Sequence, residues 1–170
     1  TVDGEDKKAM TTTLYVIEEI EGSPISHWRA QGHESQWARN AQTFWQIVYT
    51  MTLVHQKGML HLNLSPRGIY ANISGLVTLG WWERAQLKAQ AIPHHERDLF
   101  DLTFAAPELK RGETPSYQAD VYSLGAIGFW ILTRRPPPED HQEVVRQLEE
   151  LEFAPKNWVS SCISALHPHP

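Results

Sequence analysis

The chain of 170 residues has one cysteine, Cys162, so no disulfide can close within it, and that cysteine usage fits a reducing compartment. It has no apolar run of the roughly 20 residues needed to cross a bilayer, and no signal-peptide or lipidation pattern. These absences predict an intracellular, cytoplasmic protein with no membrane partner. There is no surplus of positive charge either. The net charge is -5, the pI is about 6.0 and the basic residues are scattered along the sequence, which argues against a nucleic-acid partner. No Gly-x-Gly-x-x-Gly loop, internal repeat or low-complexity segment occurs. What the chain does have is a hydrophobic fraction of 41%, enough for one domain with a real core, and seven tryptophans, expected to fill core and groove positions.

Residues 120–133, Asp-Val-Tyr-Ser-Leu-Gly-Ala-Ile-Gly-Phe-Trp-Ile-Leu-Thr, are the stretch around which the rest is organised. Their apolar side chains go most of the way round a helix, and a helix apolar on all sides is either buried or membrane-spanning. This one is too short to span. It is therefore a central buried helix over about 118–133, with Asp120 placed at the positive end of the helix dipole. Gly125 and Gly128 allow neighbours to approach closely, and Arg134, Arg135 and the prolines from Pro136 on end it.

Residues 1–11 are charged and featureless, a flexible end. Residues 12–17, Thr-Thr-Leu-Tyr-Val-Ile, read as a strand, followed by a Gly-Ser-Pro turn and a short helix at 25–29. Residues 36–56 form an amphipathic helix with Trp37, Ala41, Phe44, Val48 and Met51 on one stripe, widened by Trp45 and Val54; Gly58 stops it. A β-hairpin is expected over 69–79 around Ser74 and Gly75. Residues 83–103 show no period and read as a long loop. Two more amphipathic helices follow, one marked by Val144, Val145, Leu148 and Leu151, the other over 157–166 with Cys162 on its apolar face. The fold class is mainly α, a helical bundle around a central buried helix with a small β-hairpin.

Four segments, in this order, resemble the C-terminal lobe of protein kinases. They are Leu14-Tyr-Val-Ile-Glu-Glu-Ile-Glu-Gly22; Val54-His-Gln-Lys-Gly-Met-Leu-His-Leu-Asn-Leu-Ser-Pro66; Ala106-Pro-Glu108; and Asp120-Val-Tyr-Ser-Leu-Gly125 with its Pro-rich exit. The resemblance covers 12–170 and implies a kinase C-lobe of the α+β family fold. It places a hinge strand at about 12–22, a catalytic-loop-like segment at 59–68, an activation-segment-like stretch at 81–108 and the central helix at 118–133. It implies structural roles for His61, Ala106, Pro107, Glu108, Asp120 and Gly125. His61 would pack under the loop, Asp120 would accept hydrogen bonds from the loop backbone, and Glu108 would pair with an arginine that follows a His-Pro-x-Pro stretch like the one at 167–170. Non-catalytic C-lobe modules of the KIND type are a more distant precedent.

The resemblance implies the shape and not the chemistry. A kinase positions the substrate hydroxyl with a carboxylate in the catalytic loop. Here that position is Asn63, whose amide cannot serve as a general base. The loop lysine is Ser65, the metal-binding asparagine is Gly68, and the second metal motif falls on Trp81, Trp82 and Glu83. Indole and glycine are not ligands for a hard cation. Only eleven residues precede Thr12, too few for the family's phosphate loop and lysine strand.

The expectation is a pseudokinase with no catalytic, cofactor-binding or metal residue, and with neither ATP nor Mg²⁺ bound. It would serve as a signalling scaffold, protein-interaction or allosteric module whose partner is a protein, such as an active kinase or a scaffold. The candidate surface is the strand edge with Leu14 and Val16, together with Trp81 and Trp82. The tryptophans are expected more as a plug in the metal pocket than as an exposed anchor. His94, His95, His167 and His169 are expected to be surface residues rather than zinc ligands. The alternative is an atypical Ser/Thr protein kinase or nucleotide-binding protein whose N-lobe lies upstream.

Overall fold

A computed structural model describes residues 19–28, 33–91 and 102–167, with the side chains of 33–36 and 90 outside the description. The expected strand at 12–17 with Leu14 and Val16, the flexible end, His94, His95 and His169 all lie outside the described residues.

The central helix, α3, runs Tyr117–Thr133. The Ser116 hydroxyl caps it by accepting from the Gln118 backbone N–H at 3.3 Å. Arg134 ends it in the left-handed conformation at φ 58°, with its N–H on the Trp130 carbonyl at 2.7 Å. Ala126, Ile127, Phe129 and Ile131 are buried in the main core. Fully burying a side chain the size of Ile127 or Phe129 contributes about 1.5–3 kcal/mol.

Helix α5, Lys156–Ala165, lies close against α3. A methyl group added at Gly125 would sit 2.7 Å from the Ala165 Cβ, and one at Gly128 would sit 2.7 Å from the Cys162 sulfur. The two glycines therefore set the approach of the helices. Cys162 is buried in that contact, and burial pushes its thiol up to about 12. Helix α4, His141–Glu149, packs on α5 through Val144 and Leu148. Leu151 lies just past its end.

Helix α1, His33–Gln56, begins three residues earlier than expected, and Trp37, Phe44, Met51 and Val54 of the expected stripe pack on the core while Trp45 and Val48 do not. Phe44, Ile47 and Met51 turn inward with Thr43, while Trp45 is 62% exposed and Val48 36% exposed. The Trp45 and Tyr49 rings stack on each other outside at 5.2 Å, so neither belongs to the core stripe. Phe44 stacks on Trp158 at 4.6 Å, joining α1 to α5.

The hairpin forms from β3, Ile69–Ala71, and β4, Val77–Leu79. A two-residue strand β1, Ser23–Pro24, pairs antiparallel with β3, so Ser23 and Pro24 are strand residues rather than a turn. The Gln46 side chain pins the hairpin to α1, donating to the Gly75 carbonyl at 2.8 Å and accepting from the Val77 N–H at 3.2 Å. The expected loop after residue 82 contains short order: a 3₁₀ turn at Trp82–Arg84, β5 at Gln86–Leu87 paired with β2 at Met59–Leu60, and 3₁₀ turns at Lys88–Gln90 and Leu102–Phe104. Among the described residues no helix is long and apolar enough to cross a membrane.

Candidate functional site

Helix α3 brings Asp120 beneath the segment 59–68. The carboxylate is wholly buried and has three partners. Its Oδ1 accepts from the Leu62 N–H at 2.8 Å, and its Oδ2 accepts from the His61 N–H at 2.9 Å and lies 2.9 Å from His55 Nε2. Leu62 stands at φ 63°, where an L residue is strained by about 1–2 kcal/mol. The two backbone bonds to Asp120 fall at Leu62 and at the residue before it, and so hold the strained conformation. The His55 ring tilts against Tyr117 at 4.7 Å, and the Tyr117 hydroxyl donates to the His55 carbonyl at 3.4 Å.

His61 is buried under the same segment. Its Nε2 lies 3.1 Å from the Gly80 carbonyl, and its Nδ1 lies 3.3 Å from the Asn63 N–H. One tautomer satisfies both: neutral imidazole with the proton on Nε2. Burial lowers the pKa of His61, outweighing the upward pull of Asp120 and of the Gly80 carbonyl. Protonation at Nδ1 would also face the Asn63 N–H with another donor.

The folded-state pKa therefore lies below the unfolded value of about 6.5, and the unfolded chain binds the proton more readily. The stability from neutral His61 is full above about pH 6.5 and is lost as pH falls, by at most about 1.4 kcal/mol per pH unit for the single proton. Urea titrations at pH 7.5, 6.5 and 5.5 should show this decline, and His61→Gln should flatten it. An unchanged slope in the variant would remove His61 as its source.

Trp81 and Trp82 follow β4 and are both partly buried. The Trp82 indole N–H donates to the Leu79 carbonyl at 2.7 Å, and its ring lies 4.1 Å from the His61 ring. Trp81 takes φ 62°, and its ring covers Gly68. A Cβ at Gly68 would meet three indole carbons at 3.1–3.2 Å. The Gly80 N–H donates to the Gly68 carbonyl at 2.8 Å, and Asn63 Nδ2 points at the Trp81 carbonyl at 3.5 Å. Ser65 is buried, with its hydroxyl unpartnered among the described residues. Glu83 is exposed.

The residues singled out in the sequence thus divide into groups. His61, Asn63, Ser65, Gly68, Trp81, Trp82 and Asp120 converge on one loop. Ala106 packs beside it in a small second core with Leu60, Leu62, Leu109 and Ala119, at the start of α2, Pro107–Lys110, where Pro107 takes a first-turn position. Glu108 is partly buried, and its carboxylate has no ion-pair partner among the described residues. Gly125 lies away in the α3–α5 contact. His167 meets His141 ring to ring at 4.9 Å, and no three His, Cys, Asp or Glu side chains among the described residues are grouped to hold a metal ion. His55 and the left-handed Leu62 were not singled out from sequence. The only signal for either is the position of His55 six residues before His61.

No family model matches the chain. It is similar to a probable serine/threonine-protein kinase PknB of Lactococcus lactis subsp. lactis, at 22% identity over 81% of this chain and 22% of that protein. It is similar to an Aurora kinase of Patiria pectinifera, at 26% identity over 88% of this chain and 37% of the relative. The proto-oncogene serine/threonine-protein kinase mos of Mus musculus matches at 33% identity over 54% of this chain and 27% of its own length. The chain thus spans roughly a fifth to two fifths of the length of these curated relatives. The similarity and the architecture agree: the fold is a kinase C-lobe-like, mainly helical one with small antiparallel sheets.

Proposed function

We propose that the chain is a catalytically inactive kinase-like domain that acts through its surface, as an interaction, scaffold or allosteric module for a protein partner. One observation carries this reading: the Trp81 indole fills the space over Gly68, where a side-chain oxygen would be needed to hold a cation. The neighbouring donors are the amide of Asn63 and the hydroxyl of Ser65, with Glu83 exposed at the rim. Mg²⁺ calls for near-octahedral oxygen coordination with carboxylates, and this set does not fit it. Asp120 is already committed to the loop backbone. An atypical Ser/Thr kinase or nucleotide-binding protein is the second reading, favoured by the names of the relatives and by their greater length.

Thermal melting with ATP, with and without Mg²⁺, separates the two. A nucleotide present at a hundred times its Kd would stabilise the fold by about 2.7 kcal/mol, a shift of several degrees. The expected result is no metal-dependent shift and no label passing from radioactive ATP to protein. A shift that needs Mg²⁺, with transfer abolished in Asn63→Ala, would establish the second reading.

A further inference from the structure

A second feature lies on the other side of Pro66. A cavity of about 490 Å³ is lined by Ser26, Pro66, Arg67, Thr103, Phe104 and Trp130, among others. Its walls come from four separate parts of the chain. The Ser26 N–H donates to the Pro66 carbonyl at 3.0 Å, which fixes the Ile25–His27 turn against the loop. Arg67 stands inside a tight turn closed by the Gly68 N–H on the Ser65 carbonyl at 3.1 Å, so its Cα is fixed although its side chain is exposed.

We propose that this cavity binds the anionic side chain of a peptide, a phosphorylated residue or a carboxylate, with the Arg67 guanidinium as its anchor. Charge is the first argument. The chain is acidic overall, and two of the surface arginines find carboxylates: Arg111 pairs with Glu113, and Arg146 with Glu143 and Glu150. Among the described residues Arg67 has no ion pair or side-chain hydrogen bond, and none of those lining the cavity carries a carboxylate.

A second cation stands behind the wall. The Arg134 guanidinium lies 4.8 Å from the ring centre of Trp130, which lines the cavity. Its Nη2 donates to the neutral Asn40 side chain at 3.2 Å, and its Nη1 is buried with no hydrogen-bond partner among the described residues. Burial lowers its pKa, but a guanidinium stays charged. Arg67 at the cavity's mouth and Arg134 behind its Trp130 wall are thus brought by the fold to the same cavity, and neither has an ion pair among the described residues. Their field favours an anion, and an arginine fork recognises phosphate or carboxylate oxygens in paired fashion.

The volume supplies the second argument. The space admits a phosphate or carboxylate together with the residue that carries it, and Phe104 and Trp130 offer that residue an apolar floor. The inference names a partner class for the interaction module proposed above and rests on that reading. The two fail separately: ATP-dependent labelling would defeat the module reading, whereas charge-blind peptide binding would defeat only this site.

The test is fluorescence anisotropy of the full chain with a degenerate peptide library carrying a central phosphoserine, glutamate, serine or lysine. Inorganic phosphate and a single-stranded RNA oligonucleotide serve as controls. The phosphoserine pool should bind at least tenfold tighter than the serine pool, with affinity falling as salt rises. Arg67→Glu should lose at least tenfold, Arg67→Lys should retain part, and neither should move the melting temperature, because the side chain is exposed. Equal binding of the phosphoserine and serine pools, or an Arg67→Glu variant that binds as the parent does, would overturn the site. RNA binding tighter than the phosphoserine pool, or inorganic phosphate as tight as that pool, would overturn its assignment to a peptide.

Discussion

Asp120→Ala should destabilise the fold by about 3–5 kcal/mol, the cost of breaking a buried charged group away from its partners. The carboxylate has no solvent contact and holds two backbone N–H groups, those of His61 and Leu62. Truncation leaves both donors buried and unpaired, at about 1–3 kcal/mol each. It also releases Leu62 from its left-handed conformation, so the loss is expected to be local as well as global. For a domain of this size a loss of that order lowers the melting temperature by roughly 6–20 °C.

His55→Ala removes only the third partner and leaves both backbone bonds in place, so it should cost less than half as much. Asp120→Asn should fall between, because its amide can present one acceptor but turns its NH₂ towards a backbone donor. Chemical denaturation of the three variants tests this order, and hydrogen exchange at the Leu62 amide shows where the protection goes. Should Asp120→Ala and His55→Ala cost the same, the carboxylate would not be what holds the loop.

The contrast between Asp120 and its partners shows what the sequence made legible. The helix that carries Asp120 could be read from residue types alone, because apolar side chains on all sides leave burial as the only outcome for a short helix. Its glycines were legible for the same reason: inside so apolar a helix they are unfavourable unless a neighbour comes close, and at Gly125 and Gly128 one does. The pairing of Asp120 with His55 spans 65 residues, and no local pattern reports it.

Helix α1 was legible as a helix and in the main part of its inward face, but not in that face's edges. Trp37, Phe44, Met51 and Val54 pack on the core as the stripe expects, but Thr43 and Ile47 turn inward as well while Trp45 and Val48 lie outside, so a stripe drawn through large apolar residues misplaced its edge. The segment after Trp82 defeated periodicity for another reason. Its strand is two residues long and owes its existence to β2, and two residues cannot show a period. At the candidate site the residue identities were visible one by one. That Trp81 and Gly68 fit together was not, since it depends on a positive φ at a bulky residue. Arg67 was overlooked for a similar reason: scattered basic residues look unrelated until the chain is folded.

That fit gives the second large effect. Gly68→Asn in the parent chain should destabilise by about 1–3 kcal/mol, because the added side chain starts 3.1 Å from the Trp81 indole and forces that ring to shift. Trp81→Gly taken alone loses the packed ring but relaxes φ 62°, which glycine accepts without strain, so it should cost less than Trp81→Ala at the same position. Combined, the two substitutions should cost less than their sum by about 1–2 kcal/mol, within the range seen for residues in direct contact. The sign is what matters: each change creates the condition the other needs, so an oxygen-bearing side chain is tolerated at 68 only once the indole is gone. A double-mutant cycle in urea reads this directly, and additivity to within about 0.5 kcal/mol would show that the ring does not occupy that space. If the coupling is found, the side-chain positions around Gly68 changed as a set, and restoring any one of them singly would damage the fold before it helped a cation to bind.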